Sequence, residues 1–221
     1  MKSKLLPILI IVSIVTVQVS AQEVPQGVLQ AAEEGLPKFL SLMPSCGTGA
    51  VLGRPFQEYL IYDSDVNNYM EEDTIYDVLT ESVMWYFPLM VGNESKCLLG
   101  VDMMNGNWEA VIIGYTLIAP KVALVRQVWP ISEGYDPIFS VCHQISTLFF
   151  SVPQVDEYNL TKLNYYPPIE SEDELTILYQ NLKPLSETMA YIASELPEDE
   201  NDNNDSDGGS NTWGCFISTA M

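Results

Sequence analysis

The stretch from residue 83 to residue 114 constrains the fold of this chain more than any other. It contains three strand-like runs, at residues 83 to 91, 96 to 104 and 107 to 114, separated by Gly92-Asn93-Glu94-Ser95 and by Asn105-Gly106. Asn-Gly between alternating apolar runs is a strong hairpin signal, because both turn positions need a positive φ. The three runs therefore predict an antiparallel meander.

The Asn-Gly turn also sets the register of the second hairpin. With Asn105 and Gly106 as the loop residues, Met104 faces Asn107, and the next pairs are Met103 with Trp108, Val101 with Ala110, and Leu99 with Ile112. These pairs share a face with Cys97, which makes that face apolar. On the other face Asp102 lies opposite Glu109, and such a pair of like charges is either solvated or bridged by a cation.

The remaining segments predict helices and further strands around this meander. Helical spacing over residues 26 to 43 is interrupted by Gly35 and Pro37, which favours two short helices. Helices are also predicted over residues 119 to 129 and over 172 to 195, where Ser171 and Glu174 form a capping box and Pro184 kinks or splits the helix. Strands are predicted at residues 56 to 62, 138 to 145 and 148 to 152, a polar connection at 63 to 73, and one or two helical turns at 74 to 82. The sum is an α+β fold, with a single antiparallel sheet of hairpins flanked by helices.

The first 21 residues have the pattern of an export signal. Lys2 and Lys4 precede an apolar run of roughly 13 residues, and the segment ends with Val19, Ser20 and Ala21. A bilayer span needs about 20 apolar residues, so cleavage after Ala21 is favoured over a retained anchor. No later segment is long and apolar enough to span a membrane. We therefore expect a secreted, cell-surface or periplasmic protein.

Composition divides the rest of the chain into a domain and a tail. Residues 22 to 196 form the predicted α+β domain, and residues 197 to 221 change abruptly to a polar, acidic stretch that predicts a disordered tail. The whole chain has 30 Asp and Glu against 9 Lys and Arg, and a net charge of −21. Without a basic patch to neutralise phosphates, nucleic acid is excluded as a partner.

Four cysteines remain after signal cleavage, and an exported protein favours disulfides. Cys46, Cys97 and Cys142 are candidates for a disulfide or a thiol, with Cys97 also a simple core residue on the apolar sheet face. His143 is the only histidine, which excludes zinc sites that need two. A site of three cysteines and His143 lacks any CxxC spacing. We predict neither a metal nor a cofactor.

Catalytic patterns are scarce in this sequence. The GxSxG, GxxxxGK and HExxH motifs are absent. Strand alternation points Cys142 and His143 to opposite faces, so they do not form a nucleophile and base pair with each other. A thiol dyad therefore needs the fold to bring a distant cysteine to His143.

Two parts of the chain resemble known exported proteins. Residues 52 to 56 (LGRPF), 85 to 91 (WYFPLMV) and 106 to 114 (GNWEAVIIG) are similar to a domain of unknown function in uncharacterised exported proteins of bacteria and archaea. No activity comes with that resemblance. The end of the chain, Cys215, Phe216 and Ile217 after a Gly/Ser-containing linker, resembles the CFI-box motif C-F-I-A-T-A-A-Y-G, with Ser218 in place of the first alanine and Met221 as the last residue. This resemblance implies a tail that sorting or surface-attachment machinery reads.

These observations favour an exported, non-enzymatic domain that binds a ligand or protein outside the cytoplasm and is sorted or attached through Cys215, Phe216 and Ile217. One alternative is a secreted thiol-dependent hydrolase or redox protein that uses Cys46 or Cys142 with His143. Another is an inhibitor or partner of a secreted peptidase, which rests on size, export and the missing catalytic motifs.

Overall fold

The computed structural model describes residues 23 to 155, the backbone of residues 161 and 162, and residues 182 to 197. Within these ranges there are four α-helices, α1 (Gln26–Leu42), α2 (Asp63–Asn67), α3 (Ala119–Val128) and α4 (Leu185–Glu195). The strands are β1 (Val51–Leu52), β2 (Phe56–Leu60), β3 (Thr80–Val91), β4 (Glu94–Met104), β5 (Asn107–Gly114), β6 (Ile138–Cys142), β7 (Thr147–Ser151) and β8 (Thr161–Lys162).

All eight strands belong to one sheet in the order β5-β4-β3-β2-β6-β7-β8, with β1 paired to β3. Neighbouring strands are antiparallel except β2 and β6, which run parallel. The predicted α+β class with a mainly antiparallel sheet is confirmed. A wholly antiparallel sheet is wrong, because the chain leaves β2 through the β3 to β5 meander, passes along α3 and returns to the other edge of β2 in the same direction.

Strand pairing shows which helices cover the same face of the sheet. Trp85 packs in the cluster beneath α1 and pairs with Gln57 of β2. Tyr59 lies two residues after Gln57 in β2, so both side chains point to the same side of the sheet. Tyr59 in turn pairs with Ser140 of β6. Ser140 alternates with Cys142, which packs beneath α4. Thus α1 and α4 cover opposite ends of one face, and α3 packs on the other face.

The first helix differs from its prediction, because α1 is one continuous helix that contains Pro37. Proline removes only one backbone donor, and side chains on both sides of it, Ala32 and Phe39, pack in the cluster against the sheet and stabilise the helix across that gap. Gly35 is not a breaker here: a Cβ at this position would lie 2.3 Å from the Cβ of Ala110. The glycine therefore permits a close approach of α1 to β5.

The second hairpin has the predicted turn and most of the predicted register. Asn105 and Gly106 have φ angles of 53° and 82°, and Met103 pairs with Trp108. The Leu99–Ile112 pair is wrong: a bulge between Gly100 and Val101 shifts the register, so Leu99 pairs with Ile113 and Gly100 with Ile112. Such a shift leaves no local trace in the alternation of apolar residues.

Several element boundaries also move. The predicted polar connection contains α2, and the turn at Ile75–Asp77 leads directly into β3, which begins at Thr80. The strand predicted to reach residue 145 ends at Cys142. Residues 182 to 184 are not helical, and α4 begins at Leu185, directly after Pro184. Residues 172 to 181, with the predicted capping box, lie outside the described residues.

No helix in the described part of the chain has the length and apolarity needed to cross a membrane.

Candidate functional site

The candidate cysteines fall into two separate places. Cys46 and Cys97 form a disulfide with a Cα separation of 5.4 Å, which joins the turn after α1 to β4. Both residues are fully buried beneath α1. Closing a loop with a sequence separation of 51 residues stabilises the fold by about 4 kcal/mol in the chain-entropy account. A thiol mechanism through Cys46 is therefore at odds with the structure, since the sulfur is bonded.

Cys142 is a free, fully buried cysteine at the end of β6. Burial raises the pKa of its thiol, which disfavours a thiolate nucleophile. Its Sγ lies 3.5 Å from Oε1 of Gln144. His143 is exposed in the turn that follows, rather than in a strand as predicted. The structure therefore does not present Cys142 and His143 as a dyad.

Asp102 and Glu109 lie opposite each other on β4 and β5, as the hairpin register predicts. Asp102 is half-buried and Glu109 is exposed. In the described residues, no group of three or more His, Cys, Asp or Glu side chains is arranged to hold a metal ion. Cys215, Phe216 and Ile217 lie outside the described residues.

A cleft of about 500 Å³ lies over β2 and β6. It is on the sheet face that α1 and α4 cover in part, between the areas beneath these two helices. Its floor includes Gln57 and Tyr59 of β2, Trp85 of β3 and Ile138 of β6. It also extends around the amino-terminal ends of β2 and β6, where a second group of residues forms one wall: Arg54, Pro55, Arg126, Asp136 and Pro137. The volume is in the range typical of small-ligand sites.

Arg126 organises that wall from α3. Its guanidinium lies 5.1 Å from the ring centre of Phe56 and 5.9 Å from that of Phe139. Nη1 donates to the carbonyl oxygen of Arg54 at 2.5 Å and Nη2 to that of Pro55 at 2.9 Å. Burial lowers the pKa of Arg126 to about 10, so the side chain remains cationic at neutral pH. Arg126 thus fixes the backbone that carries Arg54.

Arg54 is the exposed cation at this end of the cleft. The ion pairs of the described residues join Lys96 to Glu94 and Lys183 to Glu187, and neither includes Arg54. The half-buried carboxyl of Asp136 also lies at this end of the cleft. Burial raises its pKa, and the positive charges of Arg54 and Arg126 oppose that rise. The two arginines and Asp136 leave one net positive charge at this end.

The rest of the cleft is aromatic, amide-rich and acidic. Trp85 is 4% exposed and forms part of the floor. The Nε2 of Gln57 donates to the carbonyl oxygen of Ser82, which fixes the amide. Glu81 pairs with Tyr59 at the carboxyl-terminal end of β2, and Glu23 lines the cleft just before α1. The cleft is therefore cationic at one end and anionic at the other.

Glu58 lies directly beneath the cleft, on the opposite face of β2. It is 9% exposed, beside a β-bulge opposite residues 57 to 59, and accepts a long hydrogen bond of 3.4 Å from the hydroxyl of Tyr86. Burial raises the pKa of Glu58 to about 7 and also raises the pKa of Tyr86. This carboxyl does not line the cleft, so it is coupled to the site only through the backbone of β2.

Sequence reasoning missed the residues of this cleft. Arg54 and Trp85 lie in the segments that carry the resemblance, which implies no activity, and no sequence pattern gives Arg126 a role. One signal was present: the chain has two arginines among many acids, and both line this cleft. A search for rare side chains of the minority charge could have singled them out, although not placed them together.

Comparison with family models, with characterised proteins and with solved structures found no match to this chain.

Proposed function

We propose that this protein is an exported binding module whose cleft takes a small ligand with a carboxylate group. The ligand's carboxylate would contact the guanidinium of Arg54, and its body would lie over Trp85 and Gln57. The observation that carries the proposal is the placement of both arginines at one end of one cleft in a chain with a net charge of −21. Most of the surface of such a protein repels anions, so a positively charged end of the cleft is a selective place for an anionic ligand to bind.

The chemistry of arginine favours a carboxylate at this place. A guanidinium presents a planar fork of donors that matches the two oxygens of a carboxylate. Arg126 uses two of its donors on the carbonyl groups of Arg54 and Pro55. Arg54, held on that fixed backbone, keeps its own side chain exposed. One arginine therefore positions the chain, and the other is available to the ligand.

Export and attachment complete the proposal. The disulfide between Cys46 and Cys97 is compatible with an oxidising compartment outside the cytoplasm, which agrees with the signal-like first 21 residues. The terminal Cys215, Phe216 and Ile217 would then sort or attach the binding domain. Cell fractionation tests this part: Cys215→Ala should move the protein from the cell envelope to the medium. An unchanged distribution removes the attachment role and leaves the binding role intact.

Ligand binding is tested with the chain that begins at Gln22. Thermal shift measurements would screen aliphatic and aromatic carboxylates, each beside its neutral amide, and calorimetry would give the affinity of the best carboxylate. We expect binding that Arg54→Gln weakens by about tenfold, the usual loss for a charge-assisted hydrogen bond. Lys183→Gln is the matched control, because it removes an exposed cation that does not line the cleft. Equal affinity of the two variants, or no difference between carboxylates and amides, would overturn the proposal.

A further inference from the structure

We infer, on the premise of the proposed carboxylate site, that the ligand is a short peptide with both ends free, bound with its carboxylate at Arg54 and its ammonium group at Glu81. The cleft has two poles, and a peptide with free ends is a common small molecule that carries opposite charges at a distance. Three features of the cleft support this: the distance between the poles, the position of Glu23 and the strands that form the floor.

The distance follows from the strand register. Arg54 lies just before β2, and Glu81 pairs with Tyr59, five residues after Arg54. Extended chain rises about 3.3 Å per residue, so the two backbone positions are separated by about 16 Å. A single amino acid carries both charges on one Cα, so it meets both poles only if the Arg54 and Glu81 side chains reach far toward each other. An extended peptide of about four residues has the required length.

Glu23 strengthens the anionic pole. The amino-terminal end of α1 packs on Trp108, since a Cβ on Gly27 would lie 2.5 Å from Cδ1 of that ring. Trp108 pairs with Met103 near the end of β4, which is the end of the sheet where β3 begins. Glu23 therefore lies at the same end of the sheet as Glu81. Both glutamates line the cleft.

The floor of the cleft determines how a peptide is recognised. Strand β2 is hydrogen-bonded to β3 on one side and to β6 on the other, so a bound peptide has no open edge of β2 to join. Recognition then depends on the two charged ends and on side chains that pack over Trp85. This arrangement predicts strong dependence on free peptide ends and weaker dependence on internal sequence.

The test uses the chain from Gln22 and an equimolar mixture of tetrapeptides, prepared with free ends, with acetylated amino ends and with amidated carboxyl ends. Equilibrium dialysis with mass spectrometry would select the best free tetrapeptide for calorimetry. We expect acetylation and amidation each to weaken binding by about tenfold. The double variant Glu23→Gln/Glu81→Gln should abolish the effect of acetylation alone, and Arg54→Gln that of amidation alone. Glu109→Gln, an exposed glutamate on β5 that does not line the cleft, is the control.

The two proposals fail in different ways. If amidation weakens binding and acetylation does not, or if carboxylates bind and no tetrapeptide does, the peptide inference is wrong and the carboxylate site stands. If Arg54→Gln leaves the affinity for carboxylates and peptides unchanged, both are wrong. An effect of acetylation that persists in the double variant Glu23→Gln/Glu81→Gln also overturns the assigned orientation.

Discussion

One face of the sheet contains two regions that are built differently. Beneath α1, the surface of β3 to β5 is closed by apolar side chains, by the Cys46–Cys97 disulfide and by the tight contact of Gly35 with Ala110. Over β2 and β6, the same face is open, and polar and charged side chains line a cleft. The sheet of the first region is a meander of three strands that follow one another in sequence, whereas the second region joins segments more than 70 residues apart.

The closed region mainly stabilises the fold, and the open region is the one proposed to bind the ligand. The closed region gains free energy from burial and from the disulfide, and it supports the floor of the cleft through β3. Behind the open region, on the other face of the sheet, lie a buried carboxyl, Glu58, and a half-buried cation, Arg126, both of which cost free energy to remove from water. Groups of that kind tend to lie at functional sites. Changes in the two regions should therefore affect different measurements.

The largest effect should come from the closed region. Replacing both Cys46 and Cys97 by alanine should lower the free energy of unfolding by about 4 kcal/mol, because the unfolded chain regains the freedom of a long loop. Guanidinium chloride unfolding measures the change, and Cys142→Ala is the control with no disulfide to lose. The carboxylate affinity of the folded variant should stay within about twofold of that of the parent chain. A double variant as stable as the parent contradicts the role given to the disulfide.

The next effect concerns pH and the buried carboxyl of Glu58, behind the open region. The pKa of Glu58 is raised to about 7 in the folded chain from an ordinary value of 4.5. The folded state therefore binds this proton more tightly than the unfolded state. The contribution of the bound proton to the free energy of unfolding is fully present below pH 4.5 and is lost as the pH rises through 7. Between these two pH limits the free energy of unfolding should fall by up to roughly 3 kcal/mol. Glu58→Gln should remove this part of the pH dependence and stabilise the protein at pH 8, as measured by denaturant unfolding across pH. An unchanged pH profile would show that Glu58 titrates normally.

A smaller effect is expected where α1 meets β5. Gly35→Ala should cost about 2 kcal/mol, since the new methyl group overlaps the side chain of Ala110 and the helix must shift. Ala110→Gly in the same chain should recover more than half of the loss, because it removes the overlapping atom. Thermal unfolding of the single and double variants measures both changes. No recovery in the double variant would mean that the close contact is not the cause.

The smallest of these effects tests how Arg126 acts. Arg126→Lys keeps the charge but loses the paired donation to the carbonyl groups of Arg54 and Pro55. We expect about tenfold weaker carboxylate binding, equivalent to about 1.4 kcal/mol, in Arg126→Lys and in Arg126→Met alike. Calorimetry measures the affinity, and near-ultraviolet circular dichroism confirms that the core is intact. Full affinity in Arg126→Lys would mean that charge alone matters.

The sequence was most informative where the structure is local. Asn105-Gly106 predicted the hairpin and its first pairs correctly, because the turn itself imposes the backbone angles. The bulge at Gly100 and the continuous helix through Pro37 were missed, since tertiary packing decides both. The cleft was not predictable, because Arg54 and Arg126 meet only through the parallel pairing of β2 with β6 and the packing of α3 behind it. No local pattern records such long-range pairing.

The most direct test observes Arg54 itself. Because the chain has two arginines, its guanidinium groups should give two sets of nitrogen-15 NMR signals, one from the half-buried Arg126 and one from the exposed Arg54, which Arg54→Gln assigns. During titration with the best carboxylate, we expect the Arg54 signal to shift and to saturate with the calorimetric affinity, while the amide analogue leaves it unmoved. An Arg54 signal that does not respond to a carboxylate shown by calorimetry to bind would mean that Arg54 does not contact the ligand.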